Sequence, residues 1–194
     1  MMIQKTGIVH GRFQPFHLDH LNYAMEAKKH CDYLIVGVTN SDPTFTNKDL
    51  TNPDRSLKSA NPLSYFERLI MIREALLETG MSYDCFDIVP FPINRPELIA
   101  FYVPTDATHY ITIYDDWGRR KLHLLESQGF KVVVLWDKRP EDKNVSATEI
   151  RRNIAMGVQW EHLLPTAVVR VIEEYQLEKR IRESFSLTPA EYQL

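Results

Sequence analysis

The chain of 194 residues has few cysteines and no long apolar run. Its two cysteines, Cys31 and Cys85, stand in no CxxC pair and in no Cys/His spacing typical of a metal site. We therefore expect two reduced thiols. No apolar stretch approaches the roughly 20 residues that cross a bilayer, so no membrane contact is predicted. The first residues, MMIQKTGIVHGRF, lack the basic and then apolar pattern of a signal peptide, and a cytoplasmic location is expected.

An excess of positive charge is also missing. Lys and Arg total 23 against 26 Asp and Glu, for a formal net charge of −3. Surfaces that bind nucleic acid are usually basic, so nucleic acid is not an expected partner. Apolar residues make up 44% of the chain, which suits one domain of ordinary size. We divide it into a core, residues 1–145, and a C-terminal helical segment, residues 146–194, and leave open whether it forms a homo-oligomer.

Short β-branched runs alternate with longer stretches of helical periodicity. The runs predict strands at residues 6–10, 33–39, 87–91, 109–114 and 131–136. The periodic stretches predict helices at residues 18–29, 64–78, 96–102, 117–127, 147–156 and 166–183. This alternation indicates an α/β fold: a doubly wound, Rossmann-like, five-stranded parallel sheet with helices on both faces and a C-terminal helical tail. Such sheets bind ligands at the carboxyl ends of their strands.

Residues 40–61 form a long connection that is rich in Asn, Asp, Ser, Thr and Pro. Its length suits either a mobile functional loop or a plain surface insertion, and the sequence leaves both open. If the loop is functional, Lys48, Arg55 or Lys58 could close over a bound anion.

The first predicted strand runs directly into GRFQPFHLDH at residues 11–20. Gly11 allows the backbone to approach a ligand closely at the strand end. The next helix begins near His17, so its free N–H groups and positive dipole end face the same space. His17 and His20 share one face of the first turn, where two imidazoles can donate to phosphate oxygens or carry positive charge. An isolated HxxH pair is more often two surface histidines, and no third ligand for a metal is evident.

A second segment, VSATEIRR at residues 145–152, follows the fifth predicted strand. Ser146 is a good N-cap residue. Together with Thr148 and Arg151 at the same helix N-terminus, it could cradle a phosphate. Taken alone, the segment is explained equally well as a capped structural helix.

The two segments resemble the two signatures of the HxGH nucleotidyltransferase superfamily. Within that superfamily, the resemblance is strongest to the archaeal-type nicotinamide-nucleotide adenylyltransferases. GRFQPFHLDH is similar to the first signature, and SATEIR to the second, ISxTxxR. The resemblance implies that His17, His20 and Arg151 are catalytic and act at the α-phosphate of a nucleoside triphosphate. The residues that it implies for triphosphate binding are Gly11, Arg12, Phe13, Ser146 and Thr148. The similarity extends over roughly residues 6–182.

The chain departs from the family pattern at two places. The adenylyltransferases carry an asparagine followed three residues on by a tryptophan that stacks on nicotinamide, whereas Asn94 is followed by Glu97. Trp117 could replace that stack and help Asn94 bind the acceptor, or it could be a core residue. Asp19 stands where the motif has glycine. It could weaken triphosphate binding, alter the helix start or act as a partner of the helix dipole.

The resemblance implies a Mg²⁺-dependent enzyme that transfers a nucleoside monophosphate from ATP or CTP to a small phosphorylated acceptor and releases pyrophosphate. Because such an acceptor is already nucleophilic, positioning and charge neutralisation suffice. The leading interpretation is the conversion of ATP and nicotinamide mononucleotide to NAD. The alternative is a CTP-dependent cytidylyltransferase acting on a small phosphorylated or phosphonylated acceptor. A catalytically silent nucleotide-binding domain is the rival from another class.

Overall fold

The computed structural model describes residues 5–42 and 57–186, and within them the five predicted strands form one sheet. All neighbouring strands are parallel, in the order β3-β2-β1-β4-β5. The strands are β1 Thr6–Gly11, β2 Tyr33–Val38, β3 Phe86–Pro90, β4 Thr108–Ile113 and β5 Lys131–Asp137. The predicted strand bounds agree to within one residue, and the predicted doubly wound parallel sheet is confirmed.

The strand order reverses at β1, which lies at the centre of the sheet. β1 pairs with β2 along its whole length, from Thr6 to Gly11. With β4 it pairs only at Gly7 and Ile8. The two strands therefore separate toward their carboxyl ends, and this is the crevice in which open α/β sheets bind their ligands.

Six α-helices accompany the sheet in the described parts of the chain. They are α1 Leu18–Lys28, α2 Tyr65–Glu78, α3 Asp116–Ser127, α4 Ala147–Met156, α5 Thr166–Glu174 and α6 Leu177–Ser186, and a 3₁₀ helix covers Pro96–Phe101. Ser64 caps α2 in a reciprocal capping box with Glu67, which explains where this helix begins. Among the residues that the structure describes, no helix is long and apolar enough to cross a membrane.

The single helix predicted at residues 166–183 is wrong, because the structure has two helices there. α5 ends at Glu174, and Gln176 adopts a left-handed φ of 53° before α6 begins. Apolar residues keep helical spacing across the break, and neither Gly nor Pro marks it, so periodicity alone could not reveal it. The turn places Leu177 and Ile181 in the core, both fully buried.

Buried side chains form two clusters, one on each face of the sheet. Successive strand residues point to opposite faces, so Val9 belongs to the first cluster and Ile8 to the second. The first cluster packs α1, α2, α4, α5 and α6 against the sheet, and the second packs α3 and the 3₁₀ helix. Cys31 and Cys85 are free thiols, as predicted.

The long connection predicted at residues 40–61 is described only at its two ends. Lys48, Arg55 and the side chain of Lys58 lie outside the part of the chain that the structure describes. Both interpretations of this connection therefore stay predictions.

Candidate active site

A cavity of about 750 Å³ lies at the carboxyl ends of the strands. Residues that follow each of the five strands contribute to its wall. All the site residues predicted from the sequence line it: Gly11, Arg12, Phe13, His17, His20, Asn94, Trp117, Ser146, Thr148 and Arg151. The fold thus brings the two signature segments and both candidate acceptor residues to one place.

His17 and His20 stack on each other at the start of α1. Their ring centroids are 3.6 Å apart, and the His17 backbone N–H donates to Nδ1 of His20 over 3.4 Å. Burial lowers the pKa of His17 to about 4. Burial, His17 and Arg12 hold the pKa of His20 well below its ordinary value. Both rings are therefore neutral near pH 7 in the unliganded chain, and they would meet a phosphate as N–H donors rather than as cations.

Phe13 packs against the histidine pair of His17 and His20 through its contact with the His20 ring. Its ring is almost fully buried and contacts His20 edge to face at 4.9 Å between centroids. A Cβ at Gly11 would lie 2.7 Å from the Phe13 ring, so only glycine leaves room for it. The backbone of Phe13 takes a left-handed φ of 53°. The sequence GRF therefore shapes the loop that carries the histidines, as well as letting the backbone approach a ligand.

The second signature forms the N-terminus of α4 as predicted, with Ser146 as its N-cap. The Ser146 hydroxyl accepts the Glu149 N–H over 3.2 Å. Arg151 is buried, and its guanidinium donates to the Gln14 carbonyl at 2.7 Å and to Oγ1 of Thr148 at 3.3 Å. Arg151 thus joins α4 to the loop of the first signature.

Asp19 makes a second connection between the signatures. Its carboxylate accepts the backbone N–H groups of Asn144 at 3.1 Å and Val145 at 3.2 Å. The Asn144 side-chain amide adds a longer contact of 3.4 Å. Asn144 and Val145 immediately precede the Ser146 cap. The acid in the glycine position therefore fastens the loop before α4 to the first turn of α1, a role that the sequence left open.

One candidate acceptor residue, Trp117, lies in the first turn of α3. Asp115 caps this helix by accepting the Gly118 N–H at 2.9 Å, and it lies 3.8 Å from the Lys143 ammonium. Trp117 lines the cavity and packs against the second core cluster, so it takes part in the core, while its stacking on an acceptor stays a prediction. Glu97, at the position of the family tryptophan, pairs with Arg95 at 2.7 Å on the surface.

Two buried polar residues that support the site were missed at the level of sequence. The Arg68 guanidinium donates to the carbonyls of Arg12, Thr39 and Asn40 at 2.7–2.8 Å, and thereby holds the loops after β1 and β2. Burial lowers the pKa of Arg68 to about 10, so it stays charged. The Gln14 side chain exchanges two hydrogen bonds of 2.9 Å with the backbone of Leu63. Both residues act on backbone groups far away in sequence, which no local pattern indicates.

The strand order, the crevice at β1 and β4, and the two signature segments on its rim define a nucleotidyltransferase of the HxGH superfamily. The chain belongs to the cytidylyltransferase-like family, whose sequence model matches residues 8–153. That match includes both signatures. The predicted superfamily and the predicted enzyme class, nucleotidyl transfer, are confirmed.

The chain is similar to two enzymes over almost its whole length. A phosphonoformate cytidylyltransferase from Streptomyces viridochromogenes is 46% identical over 180 residues, which cover 93% of this chain and 97% of that enzyme. A nicotinamide-nucleotide adenylyltransferase from Saccharolobus solfataricus is 32% identical over 180 residues, covering 91% and 95%.

A solved structure shares the fold. It is a bifunctional nicotinamide mononucleotide adenylyltransferase/ADP-ribose pyrophosphatase from Francisella tularensis, with a TM-score of 0.67 and 16% identity. The alignment covers 95% of this chain and 54% of that one, so this chain spans about half of the bifunctional protein.

Proposed function

We propose that the chain transfers cytidine monophosphate from CTP to a small phosphonate or phosphate acceptor and releases pyrophosphate. The observation that carries this choice is the loss of the tryptophan that stacks on nicotinamide in the adenylyltransferases. Asn94 is kept, but the position of that tryptophan holds Glu97, which lies at the surface. An aromatic stack contributes on the order of 1 kcal/mol to binding, and a small acceptor has no ring that needs it. The higher identity to a phosphonoformate cytidylyltransferase than to an adenylyltransferase supports the same choice.

The reaction is an in-line displacement at the α-phosphorus. An acceptor oxygen forms the new P–O bond while the bond from the α-phosphorus to the α,β-bridging oxygen breaks, and pyrophosphate leaves with that electron pair. The acceptor is already ionised, so no base has to remove a proton. His17 and His20 would donate N–H groups to the phosphates, and Arg151 would supply fixed positive charge. The Ser146 cap would present the N-terminus of α4 to a phosphate oxygen.

The Mg²⁺ ion that the family resemblance implies would be held chiefly by triphosphate oxygens and water. Within residues 5–42 and 57–186, no group of three His, Cys, Asp or Glu side chains could hold a metal. Asp19, the carboxylate between the two histidines, is engaged in hydrogen bonds from two backbone N–H groups and is not assigned as a ligand of the ion. The ion would neutralise charge on the phosphates.

Conversion of ATP and nicotinamide mononucleotide to NAD is the second candidate. It is supported by the adenylyltransferase relative at 32% identity and by Trp117, an aromatic residue that lines the cavity. If this candidate is right, Trp117→Ala raises KM for nicotinamide mononucleotide about tenfold and leaves KM for ATP nearly unchanged.

A matrix of triphosphates and acceptors, with pyrophosphate detection and mass spectrometry of the products, tests both candidates. We expect pyrophosphate release from CTP with phosphonoformate and little from ATP. Production of NAD from ATP and nicotinamide mononucleotide would replace the proposal by the second candidate. Tight binding of CTP or ATP with no pyrophosphate in any mixture would instead indicate a silent nucleotide-binding domain.

A further inference from the structure

His10 occupies an unusual place at the end of β1. It directly precedes the first signature, and it lies in the cavity wall although only 4% of its surface is exposed. Neither of its ring nitrogens has a hydrogen-bond partner among the described residues. A buried polar group without a partner destabilises the folded chain. Such a cost at a cavity wall indicates a group that a ligand completes.

The surroundings of His10 place it on the acceptor side of the cavity. Because side chains alternate along a strand, His10 faces the same side of the sheet as Ile8, the side of the second core cluster. Its ring stacks on Phe91 with 4.5 Å between centroids. Phe91 in turn fits only because Gly37 has no Cβ, which would lie 2.7 Å from the Phe91 ring. The His10 ring is thus held in one plane by packing, while its edge remains unsatisfied.

Lys121 of α3 supplies the positive charge nearby. It lines the same cavity, and burial of His10, followed by the charge of Lys121, holds the pKa of His10 well below its ordinary value. The first turn of α3, at Trp117 and Gly118, also lines the cavity, but the Asp115 carboxylate already caps it by accepting the Gly118 N–H. The attraction for an anion therefore rests on the Lys121 charge and on the unsatisfied His10 imidazole.

We propose that His10 and Lys121 bind the second acidic group of the acceptor, such as the carboxylate of a phosphonocarboxylic acid, while its phosphonate faces the α-phosphate. This subsite rests on the proposed function. His10 donates an N–H to the acid, and Lys121 balances the charge. Both nitrogens of His10 are covered in the unliganded chain. Binding therefore requires a movement of the side chains that cover His10.

Two acceptors and three variants test this subsite. Phosphonoformate carries a carboxylate beside its phosphonate, whereas methylphosphonate has none. In wild-type protein we expect KM for phosphonoformate to be at least tenfold below that for methylphosphonate. His10→Phe keeps the stacked ring but loses its N–H, and Lys121→Met loses the charge. Each should raise KM for phosphonoformate about tenfold, leave KM for CTP within twofold, and leave methylphosphonate unaffected. Lys121→Arg should restore most of the preference.

His109→Phe is the matched control. His109 is fully buried, also has two nitrogens without partners among the described residues, and packs on Phe130 at 4.8 Å, but it does not line the cavity. The His109→Phe variant should keep the KM values for phosphonoformate and methylphosphonate within twofold of wild type. Equal effects of His10→Phe and His109→Phe would overturn the subsite. So would a wild-type enzyme that does not discriminate between the two acceptors.

Calorimetric titration of phosphonoformate separates this subsite from the proposed function. If wild-type protein transfers no cytidylyl group yet binds phosphonoformate, and His10→Phe and Lys121→Met weaken that binding about tenfold, the proposed function fails and the subsite stands. If wild-type protein is active but both variants keep their preference for phosphonoformate, only the subsite fails. If wild-type protein does not bind phosphonoformate at all, the subsite is overturned.

Discussion

Single polar residues connect the two signature segments of this enzyme. Asp19 and Arg151 each bridge from one segment to a backbone group of the other. The types of these residues were visible in the sequence, but their partners were not, because Asp19 and Asn144 are 125 residues apart. Motif spacing predicted which residues gather at the cavity. It could not predict which of them hold the cavity together, since that depends on backbone groups brought close only by folding.

Replacing Asp19 tests the connection between the first turn of α1 and the loop before α4. Asp19→Gly restores the family residue but removes the carboxylate. We expect faster hydrogen exchange at the Asn144 and Val145 amides and a several-fold higher KM for the triphosphate, because hydrogen bonds to a charged group stabilise by about 1.5–3 kcal/mol. Asp19→Asn keeps one acceptor oxygen, so its amide exchange and its KM should lie between those of the wild type and of Asp19→Gly.

Asp142→Asn is the control for Asp19, because Asp142 also accepts a backbone N–H, from Arg139, but within its own loop. It should leave exchange at Asn144 and Val145 unchanged. Unchanged exchange and kinetics in Asp19→Gly would show that glycine serves equally well here.

Arg151→Lys keeps the positive charge and loses the planar guanidinium that reaches Gln14 and Thr148 together. We expect kcat/KM to fall at least tenfold, with the circular dichroism spectrum unchanged. The neighbouring exposed Arg152→Lys is the matched control and should keep wild-type kinetics. An Arg151→Lys enzyme as active as the Arg152→Lys enzyme would show that Arg151 only anchors the helix.

Secondary-structure elements were predictable wherever local sequence decides them. Strand bounds agreed closely because short β-branched runs mark the strands, and α4 began at its Ser146 cap. The break between α5 and α6 was missed because tertiary packing decides it. α6 lies against α4, where the Arg182 guanidinium donates to the Ile154 carbonyl at 3.0 Å, and it carries Phe185 to the cavity wall. A continuous helix would direct these side chains elsewhere.

Gln176→Gly tests the break. A residue other than glycine pays about 1 kcal/mol or more for the left-handed backbone that Gln176 adopts. We therefore expect Gln176→Gly to raise the free energy of unfolding by up to about 1 kcal/mol in urea titrations. Gln128→Gly is the matched control, since Gln128 is also exposed and ends a helix but has a φ of −85°. A gain in both variants, or in neither, would contradict the interpretation.

The whole molecule should lose stability in mild acid. Burial lowers the pKa of both His17 and His109 to about 4 from an ordinary 6.5. The unfolded chain binds these protons near pH 6.5, and the folded chain binds them only near pH 4. Stability is therefore full above pH 6.5 and falls as the pH drops toward 4, by up to about 1.4 kcal/mol per pH unit for each histidine.

Urea unfolding at a series of pH values between 8 and 5 measures this loss. His109→Phe removes one buried histidine, so the difference in unfolding free energy between the two ends of the series should shrink, whatever its effect on stability at pH 8. An unchanged difference would mean that His109 does not contribute to the acid sensitivity.

At the crevice where β1 separates from β4, the predicted triphosphate residues and the proposed acceptor residues belong to opposite faces of the sheet. The helices that carry the predicted triphosphate residues, α1 and α4, pack on the first core cluster, whereas α3 and Phe91 belong to the second. Side chains on one face can therefore change during evolution with little disturbance of the other. A new acceptor could be acquired by rebuilding the wall of the second face alone, while the apparatus that expels pyrophosphate is inherited intact. This separation of the two faces permits related enzymes with one fold to use different acceptors.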